Sequence, residues 1–386
     1  MNSIYERHVA VGMHSQDVAG RSKIRWKDPE ELVLLFGLLL LPFQAVKLSI
    51  AQPAHLWVLF ALAMMLLYRS VKISVAELVV YIAFLYFAFT LTFFQDYPRI
   101  KEYEQLIKFA LFYPSFYLVG RWLGGRYANR DFPLGYGFLF LFLAFQYVTQ
   151  ALELPVIFEA LDFGQGALHG TFRERNWLAV YFLLFSYILV LRDKTTKGFV
   201  LFIVFNAIVM LLSGSKTTFI AAGIAFLLHS RLPIWIRIFP TLIGAVFYIS
   251  LFSDELSGDK LAVKLEEERG LALLTSLDLL KDNPLGFGWG FVEAFFSNSW
   301  IVVKGLGEGT NSVFSVPLDL WIIAGPIGFL MWLVIFVGVG NSSIKILAPI
   351  AALSFLNPLH QSELVYFFIG VLVSYAKFSR PRLSTH

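Results

Sequence analysis

The chain has 386 residues, and its 31 Lys and Arg against 27 Asp and Glu give a formal net charge of +4. Apolar residues make up 58% of the chain, charged residues make up 15%, and the mean hydropathy is +0.69. Soluble domains have about 45–50% apolar and about 25% charged residues. The composition therefore excludes a water-soluble globule, a disordered or fibrous chain and a disulfide scaffold, and it indicates a multi-span membrane protein.

Apolar runs interrupted by charged or turn residues predict about twelve membrane helices, each of which needs about 20 residues to cross a bilayer. Barrel strands would alternate in polarity over about ten residues, and runs such as 32–41 do not. We therefore predict an all-α, polytopic membrane helical bundle. The predicted spans lie near residues 30–50, 55–68, 75–94, 106–120, 133–150, 177–191, 198–213, 217–230, 238–252, 312–339, 346–359 and 364–376.

This pattern divides the chain into residues 1–29 as an N-terminal tail, 30–252 as the first nine membrane helices, 253–311 as a large loop containing helices, 312–376 as the last three membrane helices and 377–386 as a tail. Placing the N-terminus in the cytoplasm puts 19 of the 31 Lys and Arg residues on the cytoplasmic side, as the positive-inside rule requires. Both termini are then cytoplasmic, and the large loop faces the other, outer side.

The strongest local motif is His169-Gly-Thr-Phe-Arg173-Glu-Arg175-Asn176, just before the sixth predicted span. Two arginines at an outer membrane boundary are unexpected, because most Lys and Arg residues lie on the cytoplasmic side. Their guanidinium groups suit bidentate contact with phosphate. Asn176 is a candidate N-cap for the following helix, whose positive end would point outward. The alternative is that both arginines anchor the interface or pair with Glu174.

A second cation lies in the outer turn Ser213-Gly-Ser-Lys216-Thr-Thr218, again at the start of a helix. The turn lacks the glycine spacing and the strand of a nucleotide-binding P-loop, and that function is rejected. Lys216 is a candidate anion-binding residue, and the alternative is a lysine that extends to the membrane interface.

The large loop contains a helix-like stretch, 260–280, which Asn283-Pro284 should end because proline cannot continue a helix. Arg269 precedes the apolar part of this stretch and is a candidate site residue, whereas the acidic run at 266–268 is predicted to be a solvated face. The following series of Gly286, Gly288 and Gly290 has the wrong spacing for a dinucleotide fingerprint. It predicts a turn of closely packed backbone.

Two further candidates lie near late spans: Asn311, which opens the tenth, and His360, between the eleventh and twelfth. A lone His at a helix end is more often structural. No metal-binding spacing occurs, and neither a metal nor another cofactor is predicted.

Cations and polar caps at outward helix N-termini predict a site for a phosphate-bearing substrate. With a lipid pyrophosphate as substrate, catalysis would need fixed cations to stabilise charge and a base to activate an acceptor hydroxyl. Four bases are available, and the sequence does not choose among them: Glu174, His169, His360 and Asp282.

The chain resembles the superfamily of O-antigen polymerases and O-antigen ligases, which are bacterial membrane glycosyltransferases. The resemblance rests on four segments in the order of that family, over residues 170–328. They are Gly170-Thr-Phe-Arg-Glu-Arg-Asn176, Leu212-Ser-Gly-Ser-Lys-Thr217, Asp282-Asn-Pro-Leu-Gly-Phe-Gly-Trp-Gly290, and Thr310-Asn311 followed by Ala324-Gly-Pro-Ile-Gly328.

The resemblance implies transfer of a glycan from undecaprenyl pyrophosphate at the periplasmic face of the bacterial inner membrane, without metal or nucleotide. Family arginines that hold the pyrophosphate would correspond to Arg173 or Arg175 and to Arg269. A chain-length regulator in the membrane is an implied partner, and nucleic acid is not.

Two positions depart from the family pattern. Ligases typically have His where this chain has Thr310, and the family often has Arg where this chain has Lys216. The first departure favours a polymerase over a ligase. The alternative from another class is a polysaccharide transporter or flippase, whose mark would be charge inside the spans. Glu77 and Asp319 are the clearest such charges here.

Overall fold

The computed structural model describes residues 29–44, 52–68, 75–90, 99–127, 134–152, 167–172, 174–193, 195–230, 269–298, 312–338 and 341–378, and the single positions 233 and 238. These ranges are all-helical, without a β-strand. Their α-helices are α1 (Pro29–Leu40), α2 (Pro53–Tyr68), α3 (Val75–Phe89), α4 (Arg99–Ile107), α5 (Tyr113–Tyr127), α6 (Tyr136–Ala151), α7 (Arg175–Asp193), α8 (Thr196–Ser213), α9 (Lys216–His229), α10 (Arg269–Asp282), α11 (Phe291–Asn298), α12 (Val316–Trp332), α13 (Asn341–Ser354) and α14 (Glu363–Phe378). Two π-turns, Lys108–Phe112 and Leu333–Val337, and a 3₁₀ turn, Leu359–Gln361, extend this set.

Among the described residues, three helical segments are long and apolar enough to cross a membrane, and six shorter helices are also apolar. The long ones are Arg175–Asp193, Thr196–Ser213 and Val316–Val337. Large apolar side chains also lie exposed on the outside of the bundle, such as Leu67, which is 80% exposed. Both features are compatible with a membrane protein, and the twelve crossings stay a prediction.

Several predicted span ends differ from the helices. The first predicted span reaches residue 50, but α1 ends at Leu40 and a turn follows. The eleventh reaches residue 359, but α13 ends at Ser354, four residues before Pro358, which has no N–H to donate to a helix. The predicted span 238–252 lies outside the described residues, apart from position 238.

Three arginines that the positive-inside rule assigns to the cytoplasmic side lie at the same end of the bundle. Arg121 pairs with Glu77 (2.5 Å) and Arg126 pairs with Glu30 (2.8 Å). Arg192 donates to the carbonyl of Tyr127 at 3.3 Å. The assignment of this end to the cytoplasm stays a prediction.

The span predicted at 312–339 is broken in its middle, where Gly325 has φ 66° and ψ −154°. The break frees carbonyl groups, and the large loop satisfies them. The amide of Phe287 donates to the carbonyl of Ile322 at 2.6 Å, and the amide of Gly288 donates to the carbonyl of Ile323 at 3.0 Å. The predicted span therefore contains a break that its apolar run does not indicate, because Gly325 adopts a left-handed conformation and the proline after it cannot donate.

The loop that inserts at this break confirms two predictions. Helix α10 ends at Asp282, directly before Asn283-Pro284. Gly286, Gly288 and Gly290 all have φ near +86° (86°, 86° and 85°), and the backbone of this turn touches the break in α12. A small apolar cluster joins α10 and α11 to α12 on either side of the turn: Ala272, Leu280, Phe291, Val292, Phe296, Val313 and Ile322.

We expect Gly286→Ala to lower the midpoint of thermal unfolding of the purified protein, followed by tryptophan fluorescence in detergent. The new Cβ would lie 2.7 Å from the backbone nitrogen of Gly325, and a left-handed conformation costs an L-residue about 1–2 kcal/mol. Gly223→Ala on α9 is the matched control, because its Cβ would meet no atom within 4 Å. Equal midpoints for the two variants would contradict the close approach of loop and helix.

Helices α5 and α14 cross with their backbones in direct contact. A Cβ on Gly120 would overlap the carbonyl oxygen of Phe367, and a Cβ on Gly370 would overlap the carbonyl oxygen of Tyr117. On α5, Gly124 lies four residues after Gly120, so the pair forms the small-xxx-small spacing that lets membrane helices approach closely. Both helices contribute side chains to the main apolar core, so this crossing sets how closely α14 approaches α5.

Candidate functional site

Two glutamines on the last turns of α6 shape the loop that carries the first predicted motif. The side-chain oxygen of Gln150 accepts from the amides of His169 (2.8 Å) and Gly170 (3.1 Å). The side-chain oxygen of Gln146 accepts from the amide (2.6 Å) and hydroxyl (2.9 Å) of Thr171. Because Gln146 and Gln150 are four residues apart, they lie on one face of α6. Neither glutamine was predicted from the sequence.

Helix α7 begins directly after this loop, at Arg175. The carbonyl of Glu174 accepts the first helical bonds, from Trp177 (3.1 Å) and Leu178 (3.4 Å). The prediction that Asn176 is the N-cap was therefore wrong: Asn176 lies inside the first turn, and Glu174 is the residue before the helix. The positive end of α7 lies at this loop.

The first and second predicted motifs are neighbours in space. The amide of Leu168 donates to the carbonyl of Leu212 at 2.8 Å, which joins the loop to the end of α8. Across this junction, the Nη1 atom of Arg175 would lie 3.4 Å from a Cβ placed on Gly214. Lys216 is the first residue of α9. The guanidinium of Arg175 thus lies against the turn that carries Lys216, and we call this region the cationic end.

The turn between α8 and α9 is held by its own hydroxyl groups. Gly214 ends α8 in a left-handed conformation, and its amide donates to Met210 at 2.7 Å. The hydroxyl of Ser213 accepts from the amide of Ser215 at 3.2 Å, and Thr218 donates to the carbonyl of Ser215 at 2.8 Å. Among the described residues, the hydroxyl of Ser215 is buried and has no hydrogen-bond partner.

His360 belongs to the cationic end through the segment before it. The side chain of Asn357 donates to the hydroxyl of Thr217 at 3.1 Å, and Thr217 is the neighbour of Lys216. Three residues after Asn357, His360 lies in the 3₁₀ turn and is fully buried, at 0% exposure. Burial lowers the pKa of His360 to about 3, so its imidazole is neutral at physiological pH.

A buried carboxylate faces His360. The Oδ2 atom of Asp319 lies 3.8 Å from the Nδ1 atom of His360. Asp319 accepts from the hydroxyl of Ser312 at 2.5 Å and from the amide of Val313 at 2.7 Å. From the sequence, Asp319 was expected only as a charge inside a span, because nothing in the spacing of residues 319 and 360 indicates that they meet.

A second His–carboxylate pair lies between the starts of α2 and α14 and was missed entirely. The Nδ1 atom of His55 accepts from the amide of Gln52 at 3.2 Å, so Nε2 carries the proton and donates to Glu363 at 3.2 Å. The His55 ring stacks on Phe112 of a π-turn, with centroids 4.2 Å apart. This pairing satisfies both groups and joins two helix N-termini.

The other predicted residues divide into two groups. His169 is half-buried and its Nδ1 lies 3.1 Å from the carbonyl of Gly170, whereas Asp282 is exposed at the end of α10. Arg173, Asn311 and the side chain of Arg269 lie outside the described residues. Of the site residues predicted from the sequence, the structure places Glu174, Arg175, Lys216 and His360 at one end of the bundle.

Within the described part of the chain, no group of three or more His, Cys, Asp or Glu side chains is arranged to hold a metal ion. The expectation of a metal-free reaction stays a prediction. No protein-family model, curated protein or solved structure matches the chain. The assignment of function therefore rests on the residues of the site and their geometry.

Proposed function

We propose that the chain is a membrane glycosyltransferase that polymerises O-antigen or a related surface polysaccharide. It transfers a glycan from undecaprenyl pyrophosphate to another lipid-linked repeat unit. The observation that carries the proposal is the position of the Arg175 guanidinium against the Gly214 turn, with Lys216 at the start of the next helix. Arg175 and Lys216 each begin a helix, and the Arg175 guanidinium lies beside the turn before Lys216, an arrangement that suits a pyrophosphate.

The transfer reaction needs only two kinds of group from the protein, fixed cations and a base. A pyrophosphate is a good leaving group, so fixed cations that stabilise its developing charge lower the barrier directly. The remaining requirement is a base within reach of the acceptor hydroxyl. Of the four bases named from the sequence, His360 is the buried and neutral one at the cationic end.

The finer features of the resemblance belong to the same proposal. They are about twelve membrane helices, a periplasmic loop over residues 253–311, both termini in the cytoplasm and a site at the periplasmic face of the inner membrane. Arg173, Arg269 and Asn311 are proposed to add to the substrate site, and a chain-length regulator is the proposed protein partner. No cofactor is needed for the transfer.

A transporter is the rival from another class, and broken membrane helices are one of its marks. In such proteins the carbonyls freed by the break bind the transported ion. Here those of Ile322 and Ile323 are taken by the amides of Phe287 and Gly288. Of the two span charges that the sequence offered, Glu77 pairs with Arg121. These contacts favour the transferase.

The test is a lipopolysaccharide gel from a strain in which the gene is deleted. Loss of the ladder, with core that carries a single repeat, is the expected result and identifies a polymerase. Naked core with lipid-linked polymer would instead identify a ligase, the closer rival. An unchanged ladder, together with unchanged capsule and exopolysaccharide, would overturn the proposal and favour transport.

A further inference from the structure

The imidazole of His360 is unusual among the buried polar groups of the bundle. It is 0% exposed, and within the described residues neither ring nitrogen has a hydrogen-bond partner. Leaving a buried donor or acceptor unpaired costs about 1–3 kcal/mol, and such groups are rare in native proteins. Burying this ring without a hydrogen-bond partner therefore lowers the stability of the fold. A role of the ring in binding or catalysis would explain why it is buried there.

The backbone around His360 is nevertheless fixed. The hydroxyl of Tyr366 donates to the carbonyl of His360 at 2.9 Å. On the side that precedes it, Asn357 is bonded both to Thr217 (3.1 Å) and to the carbonyl of Leu353 (3.2 Å). The 3₁₀ turn is thus held at both ends, and the missing partners are confined to the ring.

Asp319 approaches one ring nitrogen and not the other. Its Oδ2 lies 3.8 Å from Nδ1 of His360, and the hydrogen bonds from Ser312 and Val313 fix the carboxylate in that position. An acceptor oxygen on the Nδ1 side favours the tautomer with the proton on Nδ1, which leaves Nε2 as a free acceptor. The described residues offer Nε2 no donor.

We propose that Asp319 is the positioning residue for His360 in glycan transfer, and that the Nε2 atom of His360 is the proton acceptor for the attacking sugar hydroxyl. The inference rests on the proposed function and deepens it. Asp319 sets the tautomer and orientation of the ring, which is part of the role that a buried aspartate has beside a catalytic histidine in other enzymes.

The step balances with the substrates named. The acceptor hydroxyl gives its proton to Nε2, and its oxygen forms a bond to the anomeric carbon of the donor glycan. The bond between that carbon and the pyrophosphate oxygen breaks, and undecaprenyl pyrophosphate leaves with the electron pair. Arg175 and Lys216 stabilise its charge, and the proton stays on the imidazolium until the product leaves.

The test uses the purified full-length protein in detergent and, as probe, undecaprenyl-pyrophosphate-linked repeat units extracted from the deletion strain. His360→Ala should lower kcat about 100-fold or more, since general base catalysis contributes about 10²–10⁴-fold. Asp319→Asn should lower kcat at least about 10-fold with KM unchanged, because Asn can still bond Ser312 and Val313. The double variant should be no slower than His360→Ala.

A merely structural Asp319 would give a different pattern. Its substitution would then slow the His360→Ala protein further, or would raise KM together with the loss of kcat. If Asp319→Asn does not accumulate, Ser312→Ala replaces it: this change frees one carboxylate oxygen and should lower kcat only when His360 is present. His229→Ala, at the opposite end of α9, should leave kcat unchanged.

The two possible failures are distinguishable. If the wild-type protein extends the probe but His360→Ala retains more than about a third of its kcat, the inference is overturned and the polymerase stands. If the wild-type protein does not extend the probe, the proposed function falls, and the inference falls with it.

Discussion

We expect Arg175→Ala to abolish the polymer ladder when the variant gene is returned to the deletion strain, with normal amounts of protein in the membrane. Arg175 lies at the start of α7, against the turn that carries Lys216. Removing one preorganised charge-stabilising donor from an active site costs about 10²–10³-fold in kcat. In the purified system the loss should therefore be at least about 100-fold.

A conservative substitution of Arg175 and a control substitution on another helix test this prediction further. Arg175→Lys keeps the charge but loses the planar pair of donors, so it should restore only part of the ladder. Lys281→Ala is the control, because Lys281 is 75% exposed and pairs with Asp278 one turn away on α10; its ladder should be normal. A full-length ladder from Arg175→Ala would show that the guanidinium does not hold the pyrophosphate.

Local features of this protein could be predicted from the sequence because they depend on neighbouring residues. The apolar runs indicated helices, and the end of α10 followed from Asn283-Pro284. The glycine series at 286–290 indicated a close-packed turn, and the structure has one. Arg175 and Lys216 were also expected near the starts of helices, and each begins one; their part in a site stays a prediction.

What the sequence could not predict is which helices are neighbours. His55 and Glu363 are 308 residues apart and bond directly, and Asp319 meets His360 only because α12 and the 3₁₀ turn share one end of the bundle. Hydropathy identifies apolar segments, but its values do not depend on which helices pack against each other. The break at Gly325 was missed for a related reason, since the loop amides that satisfy it come from another part of the chain.

The second large effect is expected from Gly120→Ala, a change of one methyl group at the crossing of α5 and α14. Its Cβ would overlap the backbone oxygen of Phe367 on α14, and a backbone atom cannot rotate away as a side chain can. Overpacking of this kind costs about 1–3 kcal/mol. We expect a clearly lower midpoint of thermal unfolding in detergent, whereas Gly137→Ala, whose Cβ would meet no atom within 4 Å, should not lower it.

The same variant tests how the fold supports the site. Helix α14 begins at Glu363, three residues after His360, so separating α5 from α14 moves the segment that holds the imidazole opposite Asp319. Gly120→Ala should therefore lower both the unfolding midpoint and kcat, whereas Arg175→Ala should lower kcat alone. A Gly120→Ala protein with normal stability would mean that the two helices are further apart than described. One with lower stability but normal kcat would mean that the position of α14 does not control the site.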